Sequence, residues 1–133
     1  MPSLNRDFFA QEIDKAFSVI PERFRNACRN LAVIIEDGSE DGLLGLYEGV
    51  PLSEYAGDPT GMLPCTLTLY MKDINEEAEA SGDGVALVIR ETLWHEFAHA
   101  LGFDEDGAER LERKWEAAWQ ERYGERDPST SSG

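Results

Sequence analysis

The chain contains two histidines, and both lie in one short stretch, His95-Glu96-Phe97-Ala98-His99. On a helix, residues four apart stack on one face with Cβ atoms roughly 5–6 Å apart. Two imidazole nitrogens at that spacing can close on one Zn²⁺ at about 2.0–2.1 Å each. Glu96 lies about 100° further round the helix, where it reaches a water on such a metal without being a ligand. The run reads H-E-x-x-H, and its chemistry is metal-assisted hydrolysis with the glutamate as general base. The bland alternative is a histidine pair on a solvated helix face, and the residues downstream weigh against it. Gly102 stands three residues after His99, where a helix end favours a residue able to take positive φ. A turn there folds a downstream carboxylate back toward the histidines. Three consecutive acids, Asp104, Glu105 and Asp106, follow it.

These side chains need a rigid support. At 100° per residue, Ala86, Ile89, Leu93, Phe97 and Ala100 fall on one side of a helix. His95 and His99 fall opposite, in line with Val88 and Thr92, and Trp94 and Leu87 widen the buried flank. The pattern predicts an apolar back in the core and a metal-binding front facing a cleft. Upstream, Asn5 or Ser3 caps a first helix carrying Phe9, Ile13, Phe17 and Ile20. Pro21 suits the first turn of a second helix with Phe24, Cys28 and Leu31. Ala32-Val33-Ile34-Ile35 reads as a short buried strand. Leu43 to Pro51 suits a strand and turn within a glycine-rich region, and Thr66 to Met71 alternates at period two as a half-buried strand. If that strand is a sheet edge, it can align a peptide by strand addition. An acidic stretch, Asp73 to Glu79, leads through Ser81-Gly82-Asp83-Gly84 to the motif helix. A last helix runs from about Ala108 to Tyr123, with Leu111, Trp115, Ala118 and Trp119 as its stripe. The expected organisation is one domain over residues 1–124 and a flexible tail over 125–133.

A chain of 133 residues has room for one core, and 41% hydrophobic with 10% aromatic residues describes a folded domain. A net charge of −15 argues against nucleic acid as a partner. Cys28 and Cys65 have no paired spacing and read as buried thiols. No basic region followed by an apolar run opens the chain, and no stretch approaches the roughly 18 apolar residues of a membrane span. The expectation is a cytoplasmic protein with no membrane partner, monomeric or weakly oligomeric.

The wider chain resembles the bacterial zincin-like metallopeptidases known as minimal zincins, over roughly Phe8 to Leu111. Ile20-Pro21-Glu22-Arg23-Phe24 looks like the family's helix-Pro-helix opening, and Leu31 to Asp37 like its first strand. Leu43-Leu44-Gly45-Leu46-Tyr47-Glu48-Gly49-Val50-Pro51-Leu52 is similar to its L-G-L-Y-x-G-x-P-L segment, and Leu67-Thr68-Leu69-Tyr70 to the strand before the motif helix. The resemblance implies a small α+β zincin-like fold: N-terminal helices, a short mixed sheet, a motif-bearing helix and a C-terminal helix. It also implies two histidines plus an acidic third ligand. Counting from His95, the eleventh position is Glu105, where the family usually shows aspartate. Glu105 is therefore the first choice of third ligand and Asp104 the second.

Two larger relatives of the motif fit less well. Metzincins need a third histidine and a later methionine turn, whereas Met1, Met62 and Met71 all precede this motif. Thermolysin-like enzymes take a glutamate from a later helix. Glu109, Glu112, Glu116 and Glu121 leave that route open, although most read as solvated charges paired with Arg110, Arg113, Lys114 and Arg122. The functional expectation is a zinc-dependent metallopeptidase acting on a peptide or protein substrate, with Glu96 as general base. Tyr47 or Tyr70 can add a donor for the oxyanion, though each also suits packing. Two histidines and a carboxylate also describe Fe(II) sites, although the placement of Glu96 favours zinc. The rival reading is a catalytically silent zincin fold that binds metal structurally and recognises a polypeptide.

Overall fold

The apolar spacings resolve into an α+β arrangement in which the motif helix is the central element. The computed structural model describes residues 5–26, 31–49 and 65–124. Within them the chain forms α1 (Arg6–Ser18), α2 (Glu22–Arg25), β1 (Leu31–Glu36), β2 (Gly45–Glu48), β3 (Cys65–Tyr70), α3 (Met71–Ser81), α4 (Val85–Ala100) and α5 (Glu105–Tyr123). Cys28, residues 50–64 of the glycine-rich region and the expected tail 125–133 lie outside the described residues.

The strands pair in the order β1-β3-β2, with β1 parallel to β3 and β2 antiparallel to it. The central strand is therefore β3, whose Cys65, Leu67, Thr68 and Leu69 are all buried. This overturns the idea that Thr66 to Met71 offers an edge; among the described residues, β2 is the edge strand on that side. β1 differs from the buried run expected of it. It flanks the sheet and alternates half-buried with exposed residues, leaving Ile34 38% exposed.

Asn5 caps α1 through its side-chain oxygen, which accepts from the backbone N–H of Asp7 and Phe8 at 2.7 and 3.3 Å. Phe9, Ile13 and Ala16 face the core, and the buried Trp94 of α4 donates its Nε1–H to the Ala16 carbonyl at 3.0 Å. The helix after Pro21 is a single turn, and Leu31 opens β1 instead of completing that helix. The acidic stretch Asp73 to Glu79 lies within α3, a helix the acids concealed. Its stripe is three residues at helical spacing, Met71, Ile74 and Ala78, and Gly82 at φ 81° caps it.

β2 lies across part of α4. A Cβ on Gly45 would stand 2.8 Å from Thr92 Cγ2 and 3.2 Å from Leu69 Cδ2, so only glycine permits this approach. Val88 and Thr92, expected on the open front of the helix, are buried as a result. Further along α4, Glu91 is exposed and His95, Glu96 and His99 are half-buried. Trp115 of α5 closes the far side against Phe24, Trp94 and Phe97, with ring centroids 6.0, 6.3 and 6.4 Å away. Among the described residues no helix is long and apolar enough to cross a membrane.

Candidate metal centre

The end of α4 sets the site. The Gly102 N–H donates to the His99 carbonyl at 2.9 Å, and the Phe103 N–H donates to the Ala98 carbonyl at 3.1 Å. This pair of bonds closes a helix through a residue of positive φ, and Gly102 stands at φ 103°. Phe103 then packs edge-on against Phe24 at 6.0 Å. Asp104 caps the next helix, its Oδ1 accepting from the Gly107 N–H at 2.8 Å. α5 thus begins at Glu105, three residues before the expected Ala108, because the cap precedes the apolar stripe.

The turn delivers two groups to His99. Its Nδ1 donates to the Phe103 carbonyl at 2.9 Å, and its Nε2 lies 2.6 Å from Glu105 Oε1. The same Glu105 oxygen lies 3.4 Å from His95 Nε2. His95 Nδ1 in turn faces Glu112 Oε2 at 3.1 Å. Each imidazole therefore has an acceptor on Nδ1, which leaves both Nε2 atoms to face one point with a carboxylate oxygen beside them. His95, His99 and Glu105 offer ligand atoms that all lie within 4.8 Å of one another. Ligands at tetrahedral zinc distances stand roughly 3.3 Å apart. The His95–Glu105 pair has that spacing; the His99–Glu105 pair is drawn closer by its hydrogen bond. A nitrogen, nitrogen, carboxylate set suits a divalent metal of the zinc type.

Asp104, the second choice for the acid, is engaged in capping α5, and Asp106 is exposed and outside the group. The later glutamates are not all solvated charges. Glu112 faces His95 on the nitrogen opposite the convergence point, and Glu116 holds the buried Arg90 through two bonds of 2.7 and 2.8 Å. Their partners lie on α4, not among the basic residues of their own helix. The available signal was their phase: Glu105, Glu112 and Glu116 stand seven and eleven residues along one line of α5. That line meets His99, His95 and Arg90 of α4 in reverse order.

Glu96 is half-buried beside the histidines. Burial pushes its carboxyl above the ordinary glutamate value, and His95, His99 and a hydrogen bond with the Tyr47 backbone only partly offset this. For His99, burial lowers the pKa, but the bonds to Glu105 and the Phe103 carbonyl outweigh it and the net shift is upward. Glu91 of α4 is raised by burial and then by Asp83, Glu112 and Glu116. The Tyr47 ring packs against the core, so its backbone is the part that meets Glu96. A cleft of about 460 Å³ opens beside the site, lined by Leu43, Leu44 and Gly45 on one wall and by Thr92, His95, Glu96 and Glu112 on the other.

No curated protein matches the sequence. A family model described as zincin-like metallopeptidase does match, over residues 19–115. The match runs from the end of α1 through the sheet and the motif helix into α5, and it includes each of His95, Glu96, His99, Glu105 and Glu112. It spans well over half of the 133 residues, and with the motif, the turn and the converging ligand atoms inside it, the chain belongs to the zincin-like metallopeptidase family.

Proposed function

We propose that the protein is a zinc-dependent peptidase in which His95, His99 and Glu105 hold the metal and Glu96 is the general base. The observation that carries this reading is the convergence of His95 Nε2, His99 Nε2 and Glu105 Oε1 beside the half-buried Glu96 carboxyl. Bound Zn²⁺ supplies Lewis acidity, polarising a carbonyl and acidifying a water. The chain's own residues supply the rest. Glu96, half-buried beside the histidines, takes a proton from the attacking water and returns it to the leaving amine. Its hydrogen bond with the Tyr47 backbone ties the base to β2.

Substrate alignment falls to β2. The Leu44 carbonyl accepts from the Tyr70 N–H at 3.0 Å. The alternation of an antiparallel ladder then turns the backbone groups of Gly45 and Tyr47 away from β3. Gly45 lines the cleft, where its N–H and C=O can pair with an extended peptide. The test is metal analysis of untagged protein, with His95→Ala and His99→Ala beside it. About one Zn²⁺ per chain, lost in both variants, is the expected result. Unchanged metal content in the variants overturns the ligand assignment. Metal without cleavage of any peptide in a library overturns turnover and leaves a silent metal-binding fold.

A further inference from the structure

We propose that Glu112 is a positioning residue that fixes the tautomer and orientation of His95 and raises its strength as a ligand. The inference rests on the metal-site reading above. Glu112 stands seven residues beyond Glu105 on α5, two helical turns along with only about 20° of drift. The two carboxylates therefore project from one face toward α4 and meet His95 on opposite nitrogens: Glu105 Oε1 is 3.4 Å from Nε2 and Glu112 Oε2 is 3.1 Å from Nδ1. An ionised carboxylate only accepts hydrogen bonds, so the bond to Glu112 places the ring proton on Nδ1. The lone pair then sits on Nε2, facing Glu105 and His99. A carboxylate behind a ligating imidazole also makes the opposite nitrogen more basic.

The two histidines differ in this respect. His99 Nδ1 is held at 2.9 Å by a backbone carbonyl, that of Phe103, which orients the ring without adding a charge. His95 alone has an anion behind it among the described contacts. Glu112 also sits among acids, since Glu91 is raised partly by its charge. Surface display does not explain the placement, because the Glu112 side chain is only 21% exposed.

The experiment uses the full chain in two states. In metal-free protein at a pH where the imidazoles are neutral, ¹⁵N NMR reads the tautomer of each ring. The wild type should show His95 protonated at Nδ1, and Glu112→Ala should shift His95 toward the Nε2-protonated form while leaving His99 unchanged. Zinc affinity, measured by competition with a chromophoric chelator, should fall about 10–100-fold in Glu112→Ala. Glu112→Gln keeps an acceptor oxygen without the charge and should fall between the two. Glu109→Ala, on the exposed side of the same helix, should bind zinc as the wild type does. If Glu112→Ala fails to fold, Glu112→Gln decides, and wild-type affinity there overturns the proposal. Wild-type affinity and an unchanged His95 tautomer in Glu112→Ala overturn it alone. Absence of zinc binding by the wild type overturns the metal site and this inference with it.

Discussion

Replacing Gly102 with alanine tests whether the turn after the motif helix is the device that assembles the site. Gly102 stands at φ 103°, and holding a residue with a Cβ there costs about 1–3 kcal/mol. The chain can respond in two ways. If the Phe103–Phe24 contact and the Asp104 cap hold the turn in place, the strain appears as lost stability. A loss of about 2 kcal/mol lowers Tm by roughly 8 °C, at about 4 °C per kcal/mol for a chain of this size. If the turn relaxes instead, the bonds from Gly102 and Phe103 open and the Phe103 carbonyl leaves His99 Nδ1. Loss of the partner behind a ligating histidine weakens metal binding about 10–100-fold, or about 1.4–2.8 kcal/mol. The same strain therefore shows in one reading or the other. Urea denaturation of metal-stripped protein measures the first, and zinc competition against a chelator measures the second. Gly102→Val should act in the same direction and more strongly, because a β-branched residue tolerates positive φ least. Wild-type stability together with wild-type zinc affinity in Gly102→Ala would refute the reasoning.

Three other perturbations probe the frame around the site. Burial pushes the Glu116 carboxyl up, but the bonds from Arg90 and Gln120 and the Arg90 charge outweigh it and hold it below the ordinary value. Stability from this group is thus present above the unfolded-state glutamate pKa and is lost as pH falls through the lowered one. Glu116→Gln should cost about 1–2 kcal/mol at neutral pH, allowing for partial exposure, and flatten urea midpoints across that acid window; an unflattened profile contradicts the assignment. Gly45→Val drives a side chain into Thr92 Cγ2, 2.8 Å from the Cβ position, and should cost about 1–3 kcal/mol in a urea titration; an unchanged midpoint means β2 does not lie against α4. Trp94→Phe removes the buried donor to the Ala16 carbonyl and should cost about 1–3 kcal/mol, and a neutral result would mean that α1 is held by packing alone.

Local chemistry was legible in the residues; partners across the fold were not. His95, Glu96 and His99 follow from a spacing within one helix, and Gly102 follows from the need for positive φ at its end, which the backbone adopts. Counting alone set Glu105 before Asp104 in the sequence; in the structure Glu105 stands beside both histidines and Asp104 is engaged in capping α5. The Thr66 to Met71 alternation identified a strand but not its neighbours. Its central place comes from pairing with two distant segments, which period-two patterning does not encode. α3 escaped notice because its apolar stripe is three residues among acids. Glu112 and Glu116 looked solvated because intrahelical basic neighbours were the obvious partners. Their actual partners, His95 and Arg90, become visible only when α4 and α5 are laid antiparallel.

If Glu96 is the base of a metal-dependent peptide hydrolysis, Glu96→Gln removes the reaction while leaving the metal in place. The amide is nearly isosteric and keeps an oxygen for the Tyr47 backbone, but it cannot take a proton from water. The measurement is peptide-library cleavage by wild type and Glu96→Gln at matched zinc occupancy. The variant should retain about one Zn²⁺ per chain, bind it with wild-type affinity and lose at least about 100-fold in cleavage rate. A Glu96→Gln protein that carries its zinc and cleaves as fast as the wild type would contradict the claim.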